Sequence, residues 1–393
     1  MASYKKPIGE NLLSTKTDLT EGMNDRVKKY QQTLDEILQA NDVACSFMDV
    51  KCLPLSIIFK YKIESFTFKK SVLTEIEEML PVYLNCQEAS IEFINSEMAF
   101  AIRISNDERP SMPLGNLLQT EEYTKLEGNT KFVLGIGKDS KPIIMDLLKS
   151  NNILILGDDE TEKINMLKTI LTSILANAQL NTVQLEIFDS KKKSLEMYSR
   201  CKNFLMNYYT KDHEDEDEYV GCRELKYINA EWWGRSEDMH AKGTYNFIDY
   251  NEKLGWKNKV SPYIIVVINS IEELIDIGSR WSDARKRELE SLGRKGNGAG
   301  KGIYLICTAK DLNIGIPAKD IRDMFATRIT FKKTEDYEDR GLNITYQSKL
   351  LGNGDGLYFS YKDNRFNSFQ AAAVTDDDIE LLVEYIETEA VQP

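Results

Sequence analysis

The sequence predicts an α/β protein built on a mainly parallel sheet and preceded by a small α+β domain. Two observations carry this prediction. Short apolar runs at Ile153 to Leu156, Val183 to Phe188, Ile264 to Ile268 and Ile303 to Cys307 alternate with segments of helical periodicity. Such runs suit strands covered on both faces of a parallel sheet. Ahead of them stand an amphipathic helix and strands of strict alternation, which need only one covered face.

In chain order, residues 1–22 are polar and aperiodic and read as a flexible arm. Asn24 opens a helix whose Val27, Tyr30, Leu34, Ile37 and Leu38 form one apolar stripe. Phe59, Tyr61 and Ile63 alternate with polar residues and predict a strand over 57–63. A helix from Ser71 to Met79 and strands at Ala89 to Ile94 and Met98 to Ile104 complete the small domain, placed at 23–125. The stretch from Ser105 to Thr130, rich in proline, glycine and asparagine, reads as the boundary loop. The larger domain takes 126–393. Within it the charge run 211–219 reads as a solvated loop, and the residues after Leu357 as a last strand followed by a closing acidic helix, Asp376 to Glu387.

With 393 residues, 42% hydrophobic and 29% charged, the composition is that of an ordinary globular protein. No apolar run approaches the roughly 18 residues of a membrane span, so no membrane insertion and a cytoplasmic location are expected. The six cysteines form no CxxC pair and read as free thiols, and only two histidines are present, so no metal site is expected. A net charge of −13 is poorly suited to non-specific binding of phosphate backbones, although a local basic patch keeps duplex DNA open.

The informative segment is Asn151-Asn-Ile-Leu-Ile-Leu-Gly157-Asp-Asp-Glu-Thr-Glu162-Lys163-Ile164, a strand, a glycine, and a lysine at the start of an apolar helix. That is the setting of a P-loop, GxxxxGK[ST], whose backbone N–H groups and lysine bind phosphates and whose hydroxyl holds Mg²⁺. Gly157 and Lys163 stand at the right spacing. Glu162 replaces the second glycine and Ile164 the hydroxyl. Like charges about 4 Å apart repel by about 4 kcal/mol near a protein surface, so Glu162 opposes a triphosphate, and Ile164 cannot ligate a metal. Further on, the strand Tyr263 to Ile268 ends in Asn269-Ser270, where a Walker B strand would end in Asp-Glu. Asn269 lacks the charge that balances Mg²⁺, and Ser270 is too weak a base to orient water.

These fragments belong to a longer string. Ile102-Arg-Ile-Ser-Asn106-Asp-Glu-Arg109 is close to "IEIPNxxR", and Gly137-Lys138-Asp139 through Asp146-Leu147 is similar to "GKDxxGxPxxxDL", shortened by two residues. Asp189-Ser-Lys191 with Leu195 and Tyr198 resembles "DPKxxELxxY", and Ser261-Pro262-Tyr263 resembles the entry to "LPYIVVVIDE". Ala326-Thr327-Arg328-Ile-Thr-Phe331 and Leu350-Leu351-Gly352-Asn-Gly354-Asp355-Gly-Leu357 look like "PTRIxF" and "LLGxGDML". In this order the string resembles the FtsK/SpoIIIE DNA translocases over nearly the whole chain. The resemblance implies a RecA-like P-loop NTPase fold with an added small domain, in proteins that form hexameric rings around duplex DNA. The departures cluster where catalysis would be: Glu162, Ile164, Asn269, Ser270, and Ala309 where the family carries a Gln. Gly157 and Lys163 are then vestigial nucleotide-binding residues. Arg328 is retained, as a candidate inter-subunit contact or as a structural arginine. Neither a membrane anchor nor a DNA-reading domain after the motor is expected.

The leading expectation is a pseudo-ATPase without catalytic residues, a structural or regulatory scaffold in a DNA-transfer, phage or secretion assembly. Its partner would be a protein such as an active FtsK/SpoIIIE-type ATPase, with self-association or a ring as further forms. No cofactor is expected. Weak metal-free binding of ATP or ADP stays open through Lys163 and Asn269, and Mg²⁺ is not expected. One alternative is a slow, divergent ATP-dependent duplex-DNA translocase using Lys163 with substitute carboxylates such as Glu272. Another is a DNA-binding replication or partition factor of a mobile element, contacting phosphates through Lys69-Lys70 and Lys191 to Lys193. Solvated surface lysines are the plainer reading of both runs.

Overall fold

The computed structural model describes residues 6–7, 12–14, 23–53, 55–65, 70–106, 112–189, 193–210, 220–255, 261–296, 300–310, 315–334, 350–360 and 365–389. The chain divides into two compact units, one of Thr17–Ser111 with Lys138–Lys141, the other taking in Met112–Gly137 and Pro142–Pro393.

The smaller unit contains α1 (Met23–Ala40), β1 (Cys45–Cys52), β2 (Ser56–Ile63), α2 (Lys70–Leu84), β3 (Ala89–Ile94) and β4 (Ala99–Ser105). Its four strands form one antiparallel sheet in the order β1-β2-β4-β3. Alternation aims Ile57, Phe59, Tyr61 and Ile63 at one face, where Leu34, Leu38, Leu73, Ile76 and Leu80 of the two helices cover them. The periodicity of 24–38 and the alternation of 57–63 are therefore expressed as an amphipathic helix on a one-sided sheet.

The larger unit starts with β5 (Met112–Pro113), α3 (Leu114–Leu118), α4 (Glu121–Thr124), β6 (Lys131–Gly137), β7 (Pro142–Asp146) and α5 (Leu147–Ser150). Next come β8 (Ile153–Leu156), α6 (Glu160–Asn177), β9 (Val183–Asp189), β10 (Leu205–Tyr209), α7 (Val220–Ala241), α8 (Phe247–Leu254) and β11 (Tyr263–Asn269). It closes with α9 (Ile271–Ile275), α10 (Ser282–Gly296), β12 (Ile303–Ala309), α11 (Ala318–Met324), β13 (Thr327–Thr330), β14 (Asp355–Ser360), β15 (Arg365–Ala373) and α12 (Asp376–Glu389). Among the described residues the sheet runs β10-β9-β11-β12-β8-β13-β14-β15-β6-β7, with β5 beside β15. From β10 to β13 every pairing is parallel, and from β13 to β7 every pairing is antiparallel. The four apolar runs are the parallel centre, β8, β9, β11 and β12. Ile153, Ile155, Val266 and Ile306 are at most 0% exposed there, and α6 seals one face with Met166, Leu167, Ile170, Leu171 and Ile174.

The loop expected from Ser105 to Thr130 is corrected in part. It contains α3 and α4, because Leu114, Leu117, Leu118 and Tyr123 are buried against the larger unit's core. Their burial outweighs the turn-forming composition around them. In the antiparallel half, Gly135 has φ +155° and a Cβ there would lie 1.8 Å from the carbonyl oxygen of Gln370, so β6 can approach β15 only with glycine at this point. The charge run 211–219, Lys69, Lys191, Lys192 and most of the arm 1–22 lie outside the described residues.

Candidate nucleotide site

Gly157, Asn269 and Ala309 follow or end β8, β11 and β12, with β12 between the other two. They come together at the carboxyl edge of the parallel strands, the place where open α/β sheets receive ligands. These three positions are thus brought to one edge, whereas Arg328, in register with Leu154, lies back toward the amino end of β13.

The loop after β8 is short. Asp159 caps α6 by accepting from the Thr161 N–H at 2.7 Å, so the helix starts at Glu160, three residues ahead of Lys163. The Asp158 N–H donates to the Lys332 carbonyl at 3.2 Å, and the Lys163 N–H to the Asp159 carbonyl at 3.4 Å. The Asp158 carboxylate accepts from the N–H and hydroxyl of Thr334 at 2.7 and 3.0 Å. Burial pushes that carboxyl up, but these hydrogen bonds, with Lys333 and Lys310 nearby, hold it below the usual carboxylate value. Gly157 packs on Phe331, and a Cβ on it would lie 3.2 Å from the Phe331 Cβ.

Lys163 is 1% exposed, and its Nζ lies 2.5 Å from the Glu160 Oε1. Glu162 turns away from it: its Oε1 accepts from the Gly354 N–H at 2.9 Å. Burial pushes the Glu162 carboxyl above its ordinary value; the Gly354 N–H opposes this, and Asp159 and Asp355 reinforce it. Ile164, half-buried, offers no oxygen.

A Mg²⁺-triphosphate does not fit these residues. The N–H groups of Asp158, Thr161 and Lys163 are already bonded within the chain, and the loop and first helical turn carry four carboxylates, Asp158, Asp159, Glu160 and Glu162, whose charge opposes a polyphosphate.

On the neighbouring strands, Asn269 is 7% exposed and donates through Nδ2 to the Asp189 Oδ1 at 2.8 Å. Asp189 is 0% exposed, in register with Asn269 across β9 and β11, and its other oxygen accepts from the Leu195 N–H and the Tyr208 hydroxyl at 2.7 and 2.8 Å. The Asn269 Oδ1 accepts from the Thr308 hydroxyl at 3.2 Å. The position that would carry a metal-balancing carboxylate therefore holds the amide that satisfies a buried one. Ser270 sits at φ +75° and caps α9 by accepting from the Glu273 N–H at 3.2 Å, while its own N–H donates to the Thr308 Oγ1 at 2.7 Å. Glu272, the substitute carboxylate weighed above, accepts from the Lys310 N–H at 2.5 Å and from the Ser270 hydroxyl at 3.1 Å. Ala309, beside Leu156 in the sheet, presents only a methyl.

Arg328 was expected either as an inter-subunit contact or as a structural arginine. It is 4% exposed, its guanidinium lies 4.1 Å from the centre of the Phe359 ring, and it donates to the Phe325 carbonyl at 3.3 Å. Sequence reasoning missed Glu160, Asp189 and Thr308 as participants. The i, i+3 spacing of Glu160 and Lys163 was the available signal for the first. Asp189 opens the segment that resembles "DPKxxELxxY", but its pairing with Asn269, like that of Thr308, follows from strand register and is not written locally.

Residues 114–340 match the FtsK/SpoIIIE family model. Among curated proteins, the chain is 24% identical over 372 residues to the DNA translocase FtsK of Staphylococcus aureus, covering 92% of this chain and 45% of that one. Against the DNA translocase FtsK of Halalkalibacterium halodurans it is 24% identical over 396 residues, covering 98% and 48%. The chain thus spans about half the length of the curated relatives it matches. Among solved structures, the cytoplasmic domain of the type VII secretion ATPase EccC of Thermomonospora curvata aligns with TM-score 0.58 and 16% identity, over 70% of this chain and 34% of that one. The monomer form of the pCW3 conjugation coupling protein TcpA with ATPγS aligns with TM-score 0.55 and 18% identity, over 93% and 99%. The fold is accordingly RecA-like, of the P-loop ATPase type, joined to a small antiparallel-sheet domain.

Proposed function

The chain belongs to the FtsK/SpoIIIE family, and we propose that it is a member without ATP hydrolysis, a structural or regulatory partner in a DNA-transfer, phage or secretion assembly. The observation that carries this reading is the state of the loop after β8, where Lys163 is buried against Glu160 and the helix begins before the lysine. Asn269 supports it, because its amide is committed to Asp189. Hydrolysis needs a cation balanced by carboxylate at that strand end and a base beside it. Here the two positions are an amide and a helix-capping hydroxyl. The division into an arm, a small domain and a former motor belongs to the same proposal, with β5, α3 and α4 on the motor side of the boundary first set at 125. A protein partner, such as an active ATPase of the same family in a shared ring, suits a net charge of −13 better than bare duplex does.

The test is steady-state ATP hydrolysis with Mg²⁺, with and without linear duplex DNA. No rate above that of a mock preparation is expected. A DNA-stimulated rate that disappears in Lys163→Ala would overturn the proposal and restore a motor.

A further inference from the structure

We propose that Glu160 is the built-in ligand of Lys163: its carboxylate stands where a phosphate would stand, so the chain fills its own site. This rests on the reading above, of a site that does not hydrolyse ATP. The starting point is that Lys163 persists although a triphosphate does not fit. An ammonium 1% exposed needs a counter-anion, since an isolated buried charge is strongly unfavourable. Four carboxylates lie within five residues of it, and three have other partners. Asp158 holds Thr334, Asp159 caps α6 at Thr161, and Glu162 holds Gly354. Among the described residues, the one on the ammonium is Glu160, in the first turn of the 18-residue α6, where the helix dipole also favours an anion.

Glu160 is also the right kind of residue for a surrogate. Its side chain is 37% exposed, so it reaches inward from the surface and is not itself a core element. A carboxylate and a phosphate oxygen offer the same charge-assisted acceptor to an ammonium. The consequence is regulatory: α6 and the loop before it are held in one liganded-like state whatever the nucleotide concentration. A partner subunit would then meet a surface that does not change through a hydrolysis cycle.

Thermal midpoints of the full chain test this, with wild type, Glu160→Ala, Lys163→Met and the double variant compared with and without millimolar pyrophosphate, in the absence of Mg²⁺. Glu160→Ala strands the buried ammonium, and its midpoint is expected to fall by about 3 °C or more. The double variant, with no cation left to strand, recovers most of that fall. Pyrophosphate raises the midpoint of Glu160→Ala and leaves wild type and the double variant where they were. If Glu160→Ala does not fold, Glu160→Gln gives the same comparison with a gentler change. The proposal is overturned if pyrophosphate fails to raise the midpoint of the Glu160 variant above the wild-type response, or if the double variant is no more stable than Glu160→Ala. Hydrolysis of ATP by wild type would instead overturn the functional reading, so the two failures are told apart.

Discussion

Asn269→Asp, the change that gives the strand end its acidic residue, is expected to destabilise the protein by about 3 kcal/mol at neutral pH and to confer no ATP hydrolysis. Asn269 donates to the Asp189 carboxylate at 2.8 Å, and both residues are buried. An aspartate there removes the donor and sets a second negative charge against the first. Two buried carboxyls in contact cannot both ionise, so the folded variant has to take up a proton. The sign of the pH dependence follows. A second ionised carboxyl beside Asp189 is repelled, so less stability is lost at acid pH, where the pair holds a proton, than at neutral pH, where folding must retain a proton that the unfolded chain gives up. Urea denaturation of wild type and variant at pH 5 and pH 7.5 measures both parts. Equal stability at pH 7.5 would show that Asn269 does not carry Asp189.

The second large effect is expected at Glu162. Glu162→Gly restores the residue that a P-loop requires, yet it removes the acceptor of the Gly354 N–H and puts glycine into the first turn of α6. The lost hydrogen bond and the helix penalty together come to about 2 kcal/mol. Glu162→Gln separates shape from charge, because it keeps an acceptor for Gly354 and drops the charge beside Asp159 and Asp355. Burial raises the Glu162 carboxyl in the fold. Its favourable contribution is therefore complete below the unfolded carboxyl pKa and is lost as pH rises through the raised folded value. At pH 7.5 Glu162→Gln should match or exceed wild type, whereas Glu162→Gly should fall below it. If Glu162→Gly is as stable as wild type, the carboxylate is not a fastener between α6 and the 350–355 turn. Glu162→Gly combined with Ile164→Thr is still expected to lack hydrolysis, because Lys163 remains on Glu160 and Asn269 on Asp189.

Both results turn on how unevenly the sequence displays its meaning. The parallel centre was legible because each of its strands is a continuous apolar run, and burial on both faces permits little else. The small domain was legible because period and alternation survive in a one-sided sheet. The antiparallel half was legible only as one last strand, because β14 and β15 are mixed segments and β15 pairs with β6, more than two hundred residues earlier, as Phe369 with Gly137 shows. The helices α3 and α4 were hidden behind turn-forming residues, and burial of Leu117 and Tyr123 overrode that local preference.

At the candidate site the division is sharper. By itself the sequence determined the family's string of motifs, the RecA-like sheet, and which residues differ from the P-loop and Walker B patterns: Glu162, Ile164, Asn269, Ser270 and Ala309. Those are statements about side-chain chemistry at known spacings, and spacing within a strand-loop-helix is local. Only the tertiary structure decided what the substituted residues do instead. Asn269 meets Asp189 across 80 residues of chain, Glu162 meets Gly354 across 192, and Arg328 lies over Phe359. The physical reason is that a buried polar group must find a partner wherever the fold brings one, and strand order and register, which set those meetings, are long-range properties of the sheet.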